Sequence, residues 1–161
     1  MELLLLRHGT AEEAGPKTGF RDEPRELTPD GRRRMREAAA GMSALGLAPE
    51  VVLTSPLARC LQTAEIVCEA LGGEPIPDDR LRPGMSLDDL SEALGETEEA
   101  AQVLVCGHEP SMSLVTADLI GGGDLDFKKG GLAVVALESV RLNGATLLGL
   151  YPPRALRRLG R

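Results

Sequence analysis

The sequence predicts an α/β fold, a three-layer α/β/α sandwich whose sheet is mainly parallel with an antiparallel edge. Three observations carry this. Short apolar runs alternate with longer segments whose apolar residues recur at helical spacing. Each changeover is marked by glycine, proline or a capping residue. The chain then closes on two apolar runs joined by a tight turn, which reads as a hairpin.

The first strand is Glu2 to Leu6. Beyond the turn at His8, a stretch holding Gly15, Pro16, Gly19 and Pro24 reads as a long surface loop. A helix opens at Thr28-Pro29-Asp30, because threonine caps free amides and proline suits the first helical position. Met35, Ala38, Ala39, Met42 and Leu45 share one face of it, and Gly46 stops it. Val51 to Thr54 is the next strand, followed by a helix with Leu57, Leu61, Ala64, Cys68 and Leu71 as its core stripe, ended by Gly72-Gly73.

Ser86-Leu87-Asp88-Asp89 has capping-box spacing for a short helix to Leu94. Strand Val103 to Cys106 and a helix from Pro110 to Ile120 follow. Gly121-Gly122-Gly123 follows a helix and lacks the lysine and hydroxyl residue of a phosphate-binding P-loop, so it reads as a helix stop. Strands Leu132 to Leu137 and Ala145 to Leu150 pair through the turn from Arg141 to Gly144. The basic tail, Arg154 to Arg161, reads as a solvated end rather than a binding arm.

With 161 residues and neither an internal repeat nor a linker, the chain is expected to form one domain, residues 1–161, with a self-sufficient core. Cys60, Cys68 and Cys106 are odd in number and lack metal-ligand spacing, so they read as reduced, buried thiols. A net charge of −7 argues against nucleic acid as a partner. The longest apolar run, Leu3 to Leu6, is too short to cross a bilayer, and Met1 leads straight into a strand. A cytoplasmic protein, monomeric by default, is the expectation.

The chain has two histidines, and both follow a predicted strand: Leu6-Arg7-His8-Gly9 and Cys106-Gly107-His108-Glu109-Pro110. In open α/β sheets ligands bind beyond the carboxyl ends of the strands, so both imidazoles fall where such a fold places its chemistry. An imidazole can attack phosphorus, Arg7 can grip phosphate oxygens in pairs, and Gly9 permits close backbone approach. Arg59 falls in the first turn of a helix after a third strand, where backbone amides also favour an anion. Three strand ends thus deliver two arginines and two histidines. The Thr10 and Ser55 hydroxyls add candidate phosphate donors, and each reads equally well as a local turn or cap residue.

Taken together, four motifs resemble the histidine phosphatase superfamily, with its phosphoglycerate mutase-like fold. They are Arg7-His8-Gly9, Leu27-Thr28-Pro29-Asp30-Gly31, Ser55-Pro56 with Arg59 and Gln62-Thr63, and Gly107-His108-Glu109-Pro110. In length and motif context the chain looks most like the SixA-type phosphohistidine phosphatases. The resemblance implies His8 as the phosphorylated nucleophile, with Arg7, Arg59 and His108 around the phosphate. Such a site uses no metal or other cofactor, since cationic groups already offset the phosphate charge. A protonated His108 and a neutral His8 are the expected forms. The implied partner is a phosphohistidine-bearing protein such as a histidine phosphotransfer domain.

The chain departs from the broader family at one point. Many members resemble Leu-Arg-Glu after the second arginine, the glutamate protonating the leaving oxygen; here the stretch reads Leu81-Arg82-Pro83-Gly84. An alkoxide leaving group gains roughly 10²- to 10⁴-fold from such an acid. Phosphoimidazole departs as neutral imidazole once its other nitrogen is protonated, so the missing glutamate favours phosphohistidine over a sugar phosphate. Glu12, Glu13 and Glu109 are candidate substitute acids, each against the plainer reading of a solvated carboxylate.

Only 48 residues, positions 60 to 107, separate Arg59 from His108, leaving no room for a large lid. An uncovered pocket suits phosphate presented on a protein surface. Two alternatives stand beside this reading. One is a small-molecule phosphomonoesterase or mutase using the same His8 chemistry, and the other is a noncatalytic phosphoprotein-binding module.

Overall fold

A computed structural model describes residues 1–161. Six strands form one sheet: β1 (Glu2–Arg7), β2 (Val51–Thr54), β3 (Pro75–Pro77), β4 (Gln102–Gly107), β5 (Leu132–Leu137) and β6 (Ala145–Tyr151). Their spatial order is β3-β2-β4-β1-β5-β6. β1 to β4 run parallel, while β5 is antiparallel to both β1 and β6. The expected antiparallel edge is therefore the β5-β6 hairpin.

Five helices cover the two faces: α1 (Pro29–Ala44), α2 (Ala58–Leu71), α3 (Leu87–Leu94), α4 (Ser111–Ile120) and α5 (Pro153–Leu159). Side chains alternate along each strand, so β1 sends Leu4 and Leu6 to one core and Leu3 and Leu5 to the other. The first core joins α1, α2 and α5 through Met35, Met42, Ala64, Val67 and Leu156. The second joins α3 and α4 through Leu90, Leu94, Met112, Val115 and Leu119. Strands buried on both faces explain the unbroken leucine run that opens the chain.

The helix starts follow their local chemistry. Thr28 accepts a hydrogen bond from the Gly31 amide at 2.8 Å, with Pro29 in the first helical turn. Ser86 and Asp89 form the expected reciprocal capping box on α3.

Two elements differ from the expectation. The basic tail is more than a solvated end: Arg154, Arg158 and Arg161 are exposed, but α5 forms there and buries Leu156 completely against the α1 side of the core. Gly41 of α1 makes this possible, because a β-carbon there would overlap the Leu156 carbonyl oxygen. One buried leucine in seven residues leaves too little periodic signal to reveal such a helix. The second difference is β3, a three-residue edge strand holding two prolines, a composition that demotes a strand reading.

No helix is long and apolar enough to cross a membrane.

Candidate active site

β4 lies between β1 and β2, so the carboxyl ends of three adjacent parallel strands open side by side. His8 follows β1, His108 follows β4, and Ser55 follows β2, with Arg59 one turn on in α2. The His8 amide donates to the Gly107 carbonyl at 3.1 Å and the Ser55 amide to the Cys106 carbonyl at 3.0 Å, extending the ladder into the site. Two imidazoles one hundred residues apart in sequence thereby stack edge to face, with ring centroids 5.3 Å apart.

His8 is buried, and its Nδ1 lies 2.7 Å from the Gly9 carbonyl oxygen. A carbonyl only accepts, so Nδ1 carries the proton and Nε2 keeps its lone pair. Arg59 Nε–H donates to that Nε2 at 3.3 Å. Burial pushes the His8 pKa down to about 3, the Gly9 carbonyl opposes this, and His108, Arg59 and Arg7 push it further down. At neutral pH the ring is uncharged, with its Nε2 lone pair free of a proton.

The groups around it are held from behind. Arg7 donates from Nη1 to the Phe127 carbonyl at 2.6 Å, while its buried Nε finds no acceptor in the protein. An oxyanion in the cavity would supply one. Burial lowers the Arg7 pKa, and Glu109 and Asp126 act to raise it. Arg59 donates from Nη2 to the Asp22 carboxylate at 2.9 Å and from Nη1 to the Asp22 carbonyl at 3.2 Å. His108 sits with Nε2 2.8 Å from Ser55 Oγ and 3.4 Å from Cys60 Sγ.

A cavity of about 360 Å³ is lined by Arg7, His8, Arg59 and His108 together with Glu13, Asp22, Arg25, Pro83, Glu109 and Lys129. The four residues named from the motifs thus meet at one place. Ser55 is fully buried behind His108 and does not line this cavity. Thr10 lines a neighbouring pocket instead. Of the candidate acids, Glu13 and Glu109 reach the cavity wall and Glu12 does not. Both Glu109 oxygens are engaged by Ser113, one by its amide at 2.9 Å and the other by its hydroxyl at 2.5 Å.

Four contributors were not legible in advance as site residues. Thr63 Oγ1 accepts from the Gly9 amide at 3.0 Å and donates to the Arg59 carbonyl at 2.7 Å, joining the two halves of the site. Asp22 comes from the long loop, Arg25 from the same loop, and Lys129 from the segment before β5. Thr63 belongs to the motif that also holds Ser55 and Arg59, whereas nothing in the sequence marks one loop aspartate above its neighbours. The three cysteines are free and buried, in line with the reading of reduced thiols.

The family model of the histidine phosphatase superfamily (branch 1) matches residues 3–83. In structure, the chain is similar to the protein histidine phosphatase SixA solved with tungstate, at a TM-score of 0.85 and 27% identity, covering 97% of this chain and 99% of that one. In sequence, it is 35% identical to an uncharacterized protein of Picosynechococcus over 91% of both chains. It is also 36% identical to a 2,3-bisphosphoglycerate-dependent phosphoglycerate mutase of Parvibaculum lavamentivorans, covering 60% of this chain and 50% of the mutase.

Proposed function

Because the chain belongs to the histidine phosphatase superfamily (branch 1), we propose that it is a phosphohistidine phosphatase, taking phosphate from a phosphohistidine on another protein by way of His8. Phosphatase activity follows from the family and from the SixA-like structure; the identity of the phosphate donor is the proposal. His8 Nε2 attacks phosphorus in line, an Nε2–P bond forms, and the P–N bond of the substrate breaks. The leaving imidazole, protonated on its other nitrogen, departs neutral. Water then attacks the phosphorus on His8, the Nε2–P bond breaks, and inorganic phosphate leaves with His8 restored. Arg7, Arg59 and an N–H of His108 offset the charge on the equatorial oxygens throughout. In this role Ser55 orients His108. These groups supply the charge that a metal would otherwise bring.

The observation that carries the phosphohistidine assignment is Pro83. It stands where the family resemblance gives a proton-donating glutamate, and it lines the cavity with a side chain that has no proton to give. A phosphoester would leave as a strongly basic alkoxide from such a wall. The tungstate in the SixA structure is a tetrahedral oxyanion, in keeping with a phosphate seat of this composition.

Glu13 on the cavity wall favours a second reading, a phosphomonoesterase with that carboxyl as its acid. Parallel turnover of a phosphohistidine peptide and of 3-phosphoglycerate separates the two. The phosphohistidine peptide is expected to react faster by two orders of magnitude or more. Faster turnover of the glycerate would overturn the proposal.

A further inference from the structure

A second pocket, of about 340 Å³, adjoins the catalytic cavity and shares Arg7 and Lys129 with it. Arg34 of α1, Arg157 of α5 and Lys128 complete a set of five cations, and no acidic residue lines the pocket. This composition runs against the whole chain, where acidic residues outnumber basic ones by 25 to 18. Gly9 and Thr10, the two residues after the nucleophile, form part of the wall, so a group bound here lies directly beside the reacting phosphate.

The outer cations are only loosely committed. Arg34 pairs with Asp30 at 2.7 Å and Lys128 with Asp126 at 2.9 Å, all four side chains half or more exposed, and Arg157 lies 3.7 Å from Glu37. Exposed pairs of this kind contribute about 0–1 kcal/mol each and exchange readily for another carboxylate. Lys129 makes no ion pair with any carboxylate. Two segments distant in sequence, α1 and α5, supply Arg34 and Arg157, brought together by the close approach at Gly41.

We infer that this pocket receives a carboxylate side chain of the substrate polypeptide close to its phosphohistidine, making the protein selective for phosphohistidines set in acidic surroundings. The inference rests on the proposed function and names the substrate surface it fits. Charge complementarity selects the occupant: a globally anionic protein repels acidic partners at long range, and one cationic recess beside the nucleophile fixes where and in which orientation they are accepted.

The test uses two phosphohistidine peptides, one with aspartate and glutamate flanking the phosphohistidine and one with asparagine and glutamine, and monoamidophosphate as a P–N substrate with no flanks. The unaltered protein is expected to show a KM about tenfold lower for the acidic peptide, the preference fading at high salt. In Arg34→Glu/Lys128→Glu, and in the milder Arg34→Gln/Lys128→Gln, the preference should vanish while turnover of monoamidophosphate stays unchanged. Equal KM values for the two peptides with the unaltered protein would overturn the inference, as would equal losses on all three substrates in the glutamine variant. A fluorescent acidic peptide lacking phosphate, titrated against the same proteins, reads the pocket without turnover. Retained charge-selective binding with no hydrolysis would overturn the proposed function and leave the pocket standing.

Discussion

Arg59 and His8, 51 positions apart, meet through a hydrogen bond from the arginine Nε–H to the histidine Nε2 at 3.3 Å. With Nδ1 committed to the Gly9 carbonyl, that lone pair is the only nucleophilic site on the ring. The bond positions the guanidinium and the imidazole against each other before any phosphate arrives, which is the preorganisation that the proposed charge stabilisation requires.

Replacing His8 by Ala should abolish hydrolysis and eliminate acid-labile phosphate on the protein, read by phosphate release and by trapping of labelled enzyme. Arg59→Ala should lower kcat/KM about 10²-fold or more. Arg59→Lys should recover little of this, because an ammonium keeps the charge and loses the fork that spans Nε2 of His8 and the carbonyl and one carboxylate oxygen of Asp22. Recovery to within threefold in Arg59→Lys would refute the geometric role.

Thr63 is fully buried between the Gly9 amide and the Arg59 carbonyl. Thr63→Val keeps the volume and leaves the Gly9 N–H without an acceptor, at a cost of about 1–3 kcal/mol. Denaturant unfolding measures the loss, and kcat should fall with it, since the same bond braces the turn that holds His8.

His8 carries a sign-definite pH signature. Its folded pKa of about 3 lies below its ordinary 6.5, so the unfolded chain takes up a proton that the folded chain refuses. Stability from this group is complete above pH 6.5 and drains as pH falls toward 3, with a slope approaching about 1.4 kcal/mol per pH unit. His8→Gln should flatten the stability profile between pH 6.5 and 4 relative to the unaltered protein. Parallel profiles would disprove the buried neutral imidazole. For the same reason, a change in kcat/KM measured between pH 8 and 5 should not follow the titration of His8.

Gly41→Ala should separate α5 from α1, because the added β-carbon overlaps the Leu156 backbone. A destabilisation of about 1–3 kcal/mol is expected. The second cationic pocket should lose its shape before the catalytic cavity does, since α5 supplies Arg157 to the former and nothing to the latter. A calorimetric midpoint equal to that of the unaltered protein would exclude this contact as a constraint.

Most of the architecture was written locally. The apolar runs at β1, β2, β4, β5 and β6 and the caps at Thr28 and Ser86 each rest on residues within a few positions of one another. α5 and β3 escaped because neither has an apolar periodicity: one helix docks through a single leucine into a glycine gap on another element, and one strand is accepted at the sheet edge despite its prolines. Arg7, His8, Arg59 and His108 were legible because each sits at the end of a predicted strand or the start of the helix that follows it. Ser55 and Thr10 were ambiguous for a physical reason, as a short hydroxyl serves a turn, a neighbour or a ligand with the same geometry. Only the fold turned Ser55 toward His108 and put Thr10 on the second pocket.

The amino-acid order by itself determined the strands and helices other than β3 and α5, and which four side chains stand at their ends, because those choices follow from local periodicity and capping. The tertiary structure alone decided that β4 enters between β1 and β2, that Asp22 and Thr63 brace the site, and that Arg34 and Arg157 share one recess. Strand order and loop placement depend on contacts between residues far apart in the chain, and no short-range pattern encodes which distant partner a buried face will choose.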